Sequence, residues 1–191
     1  IFTHNIQGPF NDAEMNYLFN SIDVYINLAS NEGFGLGSCE ALSVGKPIIV
    51  NVTGGLQDQC GFRKMQENGE WTYFTPDDYI DHKSNHDKSM GEQHGDWVKP
   101  VWPTNISLQG SPVTPYIFDD RCQYQDAGSA LKYWYDAGPE ERERCGNLGY
   151  EFVKDKKVGM DSIEMGRRFI EGMETAFENW NRSEMYTLEA I

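Results

Sequence analysis

No apolar run in this sequence approaches the roughly 20 residues that a membrane-crossing helix needs, so no integral membrane segment is expected. The chain opens on Ile1 without an initiator Met or a secretory leader, and it reads as a cytoplasmic piece of something longer. Positive charge is scarce: Lys and Arg number 16 against 30 Asp and Glu, for a net charge of −14. What bases there are alternate with acids, as in residues 140–144, leaving no basic stripe to follow a phosphate backbone, so nucleic acid is excluded as a partner. Cysteine is sparse too. Cys39, Cys60, Cys122 and Cys145 form no C-x-x-C pair and no dense framework, which fits a reducing compartment. His82, His86 and His94 are spaced by four and eight, but Asp, Ser and Lys fill the intervals and no cysteine is near; they are expected as solvated loop histidines, and no metal site is assigned.

At 191 residues, 39% hydrophobic and 24% charged, the chain has the makeup of one soluble α/β domain and is short for two. Its organising stretch is residues 30–47, Ser-Asn-Glu-Gly-Phe-Gly-Leu-Gly-Ser-Cys-Glu-Ala-Leu-Ser-Val-Gly-Lys-Pro. An apolar run over 24–28 leads in and another over 48–50 leaves, so the pattern predicts strand, glycine loop, helix, strand: one βαβ unit with its loop at the carboxyl end of a strand. In open α/β sheets ligands bind there, because N–H groups at a helix start point out of the sheet and attract anions.

Two carboxylates frame the loop. Glu32 opens it, and Glu40 lies in the helix, four residues after Leu36 and four before Val44, on a face that places it among apolar neighbours. A carboxylate so placed either answers the positive end of the helix, worth roughly 0.3–1 kcal/mol, or holds a partner. Seven residues separate Glu32 from Glu40 within Glu-Gly-Phe-Gly-Leu-x-x-x-Glu-Ala-Leu-x-x-Gly-x-Pro-Ile-Ile, followed by Gly54-Gly55. This stretch resembles the E-x7-E signature of retaining GT-B glycosyltransferases of the glycogen synthase and sucrose synthase type, often called family 4 or group 1.

The resemblance implies a fold class: α/β, a Rossmann-like parallel sheet flanked by helices, standing as the C-terminal half of a GT-B fold. It implies a single domain over residues 1–191 whose N-terminal acceptor domain is absent. In function it implies the donor-binding half of a retaining, hexosyltransferase-type enzyme. Such an enzyme moves a sugar from a nucleotide-sugar, such as a UDP- or GDP-sugar, to an acceptor hydroxyl of a glycan, lipid or protein. Glu32 then orients the donor sugar as the residue assigned to catalysis, Gly33, Phe34, Gly35 and Leu36 present amides to it, Glu40 hydrogen-bonds the ribose, and the helix start faces the diphosphate. Gly54 and Gly55 approach the ligand on the same rim, with Asp58 at the acidic position that follows. No separate cofactor and no metal are implied, and Asp77-Asp78 and Asp119-Asp120 lack the D-x-D form of metal-dependent glycosyltransferases.

Family members clamp the phosphates with an Arg and a Lys on the preceding βα segment. The only Lys or Arg in the first 60 residues here is Lys46, so the clamp is expected ahead of Ile1 and the fragment alone is expected to be inactive. Where the family has Leu-Pro at the helix start, this chain has Leu36-Gly37, losing a residue that pre-sets the first turn. The alternative is a non-catalytic nucleotide-sugar-binding or assembly domain of the same shape. The missing clamp favours it, and the intact glutamate pair disfavours it.

Elsewhere, residues 2–6 are predicted as a strand ending at Gly8, followed by a helix capped by Asn11, with Glu14 completing a box and Met15, Leu18, Phe19 and Ile22 as its apolar face. Residues 63–115 depart from the family, with Pro76, Pro100, Pro103, Pro112 and Pro115 and the aromatics Trp71, Tyr73, Phe74, Tyr79, Trp97 and Trp102. They are expected as an irregular insertion between core segments 1–62 and 116–181, either a lid or acceptor surface whose aromatic faces stack on sugars, or a self-packed excursion. Residues 116–118 are predicted as the last strand, with helices over 126–136, 139–153 and 161–181.

Overall fold

The computed structural model describes residues 10–75, 78 and 93–181, so the strand expected over residues 2–6, with Tyr79, His82 and His86, lies outside the described residues. The chain divides into two compact units, residues 1–153 and 154–191.

The first unit is α/β with a parallel sheet. Helix α1 (Asp12–Ser21) opens on the expected capping box: Asn11 Oδ1 accepts from Glu14 N at 3.0 Å, and Glu14 Oε2 accepts from Asn11 N at 2.9 Å. Strand β1 (Tyr25–Asn27), helix α2 (Leu36–Ser43) and strand β2 (Ile48–Asn51) form the βαβ unit around residues 30–47. β1 and β2 run parallel, Tyr25 opposite Ile48 and Asn27 opposite Val50. A parallel strand covered on both faces needs apolar side chains at successive positions, and Ile48, Ile49 and Val50 are completely buried. Among the described residues β2 is therefore the central strand of the sheet.

Helix α3 (Leu56–Gln59) follows, then an antiparallel pair, β3 (Arg63–Met65) with β4 (Trp71–Tyr73), and then β5 (Val98–Val101). The sheet order is β1-β2-β5. Its third strand thus comes from inside the stretch expected to be irregular, whereas residues 116–118 belong to an antiparallel hairpin, β6 (Asn105–Ser111) with β7 (Thr114–Arg121). Pro100 is what hides β5 in the sequence. The carbonyls of Trp97 and Val101 accept from Ile48 N and Val52 N at 2.8 and 2.9 Å, so the odd-numbered positions bond to β2. Pro100, between them, turns its missing N–H away from β2, toward the side of β5 that has no partner strand among the described residues.

Four aromatics of this region pack against Phe62 or Phe152. Trp97 is buried, stacks on Phe152 at 4.4 Å between ring centroids and donates Nε1 to Gln59 O at 3.0 Å. Phe74 and Trp102 close on Phe62 at 5.9 and 5.5 Å, and Tyr73 meets Phe152 edge-on at 5.3 Å. All four contacts are with Phe62 and Phe152, outside residues 63–115, so these side chains pack against the core segments on either side of the stretch.

A helical run, α4 (Tyr124–Lys154), is broken at Gly138, where φ is 80°, into two arms that correspond to the helices expected over 126–136 and 139–153. Trp134, Ala130 and Cys145 from the two arms pack with Ile49 and Val101 of the sheet in the core. Arg142 closes the end of the first arm, donating Nη1 to Trp134 O at 2.8 Å. In the second unit, α5 (Ser162–Glu178) is capped by Asp161, which accepts from Ile163 N at 2.8 Å. No helix among the described residues is long and apolar enough to cross a membrane.

Two stability predictions follow from this packing. Ile49→Ala removes a fully buried side chain from β2 and should cost about 2–5 kcal/mol in urea unfolding. His94 is half-buried with Nδ1 donating to Gly95 O at 2.8 Å, and burial, with Lys99 and Arg63 adding to it against the Gly95 carbonyl and Asp96, lowers its pKa below 6.5. The folded protein binds that proton less tightly than the unfolded chain. The contribution is therefore complete above pH 6.5 and lost as the pH falls below it. The drop in urea midpoint between about pH 7.5 and about pH 5.5 should be smaller in His94→Gln than in the unsubstituted protein.

Candidate functional site

The loops that follow β1 and β2 meet at the carboxyl ends of two adjacent parallel strands, which is the rim where the predicted residues fall. They interlock by backbone. Gly55 N donates to Glu32 O at 3.1 Å. A Cβ on Gly54, whose φ is 47°, would stand 2.0 Å from Glu32 O, and one on Gly55 would stand 2.3 Å from Gly33 O. The space beside both glycines is thus filled by the loop that carries Glu32, and the close approach that the pair permits is of one loop to the other.

Gly35 caps α2 in the left-handed region, with φ 85° and ψ 56°, and no side chain closes the helix start. A Cβ there would strike Leu56 Cδ2 at 2.5 Å. Beneath it, Gln59 Nε2 donates to Phe34 O at 2.5 Å and to Gly35 O at 3.0 Å. The first turn of α2 carries no acidic residue, so its N–H groups keep their positive end unanswered from within the helix.

Glu40 lies one turn along. The buried face of α2 is Ser38, Cys39, Ala41 and Leu42, turned toward the sheet, whereas Leu36 is 70% exposed and Glu40 is exposed with it. The shared face inferred from spacing is therefore real but is the open one, which corrects the expectation of apolar surroundings for Glu40. Periodicity gives a common face and not its direction. Glu32 is half-buried, and Phe34 is 40% exposed.

Tyr25, unremarked in the sequence, links these parts. A Cβ on Gly37 would come within 2.3 Å of Tyr25 Oη, so the phenol fills the space that glycine leaves at the helix start. Burial raises the Tyr25 pKa, and the charges of Glu40 and then Glu32 raise it further. Both carboxylates therefore act on the same hydroxyl. Asn51, fully buried at the end of β2, donates Nδ2 to Ala29 O at 2.9 Å and to Asp120 O at 3.2 Å, and Asp120 N donates to Ser30 O at 2.9 Å. The base of the β6–β7 hairpin is thereby tied to the rim. Asp58 points out from α3, where partial burial of its carboxylate raises its pKa.

Lys46 is elsewhere. It precedes the first residue of β2 and lines a cavity of about 280 Å³ with Asp23, Arg142, Glu143 and Asn147, at the opposite end of the strand from Gly54. What the rim offers is two carboxylates, an uncapped helix start and a phenol, a set suited to hydroxyl groups and an anion held side by side.

Residues 3–82 match the family model of glycosyl transferases group 1. That span takes in Glu32, Glu40, Gly54, Gly55 and the whole of the interlocked rim, so the similarity to group 1 glycosyl transferases lies on the site itself. No curated protein matches the chain.

Neither Tyr25 nor Gln59 carries a periodic or motif signal, and Gln59 stands in the polar run Gln57-Asp58-Gln59, where nothing in the sequence sets it apart. The convergence on Tyr25 predicts its titration: with ring-labelled tyrosine, its resonance should titrate above pH 10, the ordinary tyrosine value. Glu40→Gln should shift that titration down, and Glu32→Gln by a smaller amount, while Tyr25→Phe removes it.

Proposed function

We propose that this chain is the donor-binding half of a retaining glycosyltransferase of GT-B form, one that moves a hexose from a nucleotide-sugar to an acceptor hydroxyl. The observation that carries the reading is the convergence of Glu32, Glu40 and the uncapped start of α2 on one rim, within the span that matches group 1 glycosyl transferases.

Transfer requires that charge building on the leaving diphosphate be stabilised, and fixed N–H groups at a helix start do this without reorganising. In this reading the amides of residues 33–36 meet the donor, Glu32 accepts from sugar hydroxyls and orients the anomeric carbon, and Glu40 accepts from the ribose. The exposure of Glu40 supports it, since a carboxylate that meets a ligand must be reachable. Gly54 and Gly55 contribute by holding the Glu32 loop in place. No general base is assigned on the rim, and in this reading the phosphate clamp and the acceptor site belong to the other half of the GT-B form, working in the cytoplasm.

Calorimetric titration of UDP, GDP and ADP, with their sugars, should find one nucleotide that binds, and Glu40→Ala should weaken it by about 1–3 kcal/mol, the effect of losing a hydrogen bond to a charged group. If the protein, paired with the other half of the GT-B form, binds none of them, the donor-site reading fails and an assembly domain of the same shape takes its place.

A further inference from the structure

Gln59 is a completely buried amide side chain directly beneath the glycine loop. Its backbone is pinned by Trp97, whose Nε1 donates to Gln59 O at 3.0 Å, and its Nε2 reaches up to Phe34 O at 2.5 Å and Gly35 O at 3.0 Å. In a trans peptide the C=O and N–H point in opposite directions. The unit that carries Phe34 O also carries Gly35 N–H, and the unit that carries Gly35 O also carries Leu36 N–H. Two carbonyls turned onto one amide therefore turn two consecutive N–H groups away from it; Gln59 shares the Gly35 carbonyl with Ser38 N and Cys39 N, which donate to it at 3.1 and 3.2 Å, and among the described residues it holds the Phe34 carbonyl alone. Neither the Gly35 nor the Leu36 N–H has an acceptor among the described residues. Gly35, left-handed at φ 85°, supplies the backbone geometry in which successive N–H groups converge on an anion.

We propose that Gln59 is a positioning residue of the candidate donor site: by holding the Phe34 and Gly35 carbonyls it aims the Gly35 and Leu36 N–H groups at the diphosphate of the donor. This rests on the donor-site reading above. The role requires a side chain with both the length of glutamine and a donor at its end. Asparagine falls short, and methionine fills the volume with no donor. Glutamate sets a carboxylate against two carbonyl oxygens.

The test compares the nucleoside diphosphate that binds with its own nucleoside, in the unsubstituted protein and in Gln59→Met. The diphosphate should lose about tenfold in affinity while the nucleoside stays within about twofold, because only the diphosphate meets the two amides. Equal diphosphate affinity in both proteins overturns the inference and leaves the donor-site reading standing. An equal loss for diphosphate and nucleoside also overturns it, because that makes Gln59 a support of the rim in general. If the unsubstituted protein, paired with the other half of the GT-B form, binds neither compound, the donor-site reading and this inference with it are overturned. Where Gln59→Met does not fold, amide spectra of the unsubstituted protein decide: inorganic pyrophosphate should move the Gly35 and Leu36 resonances, and unmoved resonances overturn the proposal.

Discussion

Two loops from neighbouring strands occupy space that any side chain would deny them, and the rim exists because Gly54 and Gly55 have none. The Gly55 N–H to Glu32 carbonyl bond and the 2.0 Å clearance that a Gly54 Cβ would violate make the position of Glu32 a property of the other loop. Leu56 and Gln59 complete the support from below, Leu56 against Gly35 and Gln59 against the carbonyls of Phe34 and Gly35. The residues assigned to the ligand are thus held by packing among loops, upon a sheet whose central strand is buried throughout.

That support is polar, set beside a largely apolar interior. Ser38, Asn51 and Gln59 are all completely buried, and each keeps one atom, Ser38 Oγ, Asn51 Oδ1 and Gln59 Oε1, without a protein partner. A buried polar atom left unmade costs roughly 1–3 kcal/mol. What Asn51 and Gln59 supply in exchange is placement: Asn51 fastens the end of β1 and the hairpin base to the end of β2, and Gln59 fastens the glycine loop to α3. Tyr25 fills the space beside Gly37 with its hydroxyl, on which the charges of Glu40 and Glu32 both act.

What was legible in the sequence was local. The Asn11–Glu14 box, the glycine loop between two apolar runs and the break between the arms of α4 each depend on a few adjacent residues whose chemistry dictates the backbone. Direction and distance were not legible. The spacing of Leu36, Glu40 and Val44 gave a common face but not the side it turns to, and the proline in 98–101 masked a strand whose partner is about 50 residues away. Gly37 read as the loss of a helix-starting proline; the structure shows the vacated volume taken up by a tyrosine from β1. A lone glutamine such as Gln59 announces nothing until the turn that carries it is folded under the loop it holds.

Pro100 bears on how molecules of this protein meet one another. An uncovered strand offers a regular comb of donors and acceptors on which another chain can lay itself down, the first step toward stacked aggregates. On β5 that comb lacks a tooth in its middle, since the residue facing away from β2 has no hydrogen to give. The proline that conceals the strand in the sequence thus also leaves no donor at the middle of the side of β5 that has no partner strand among the described residues.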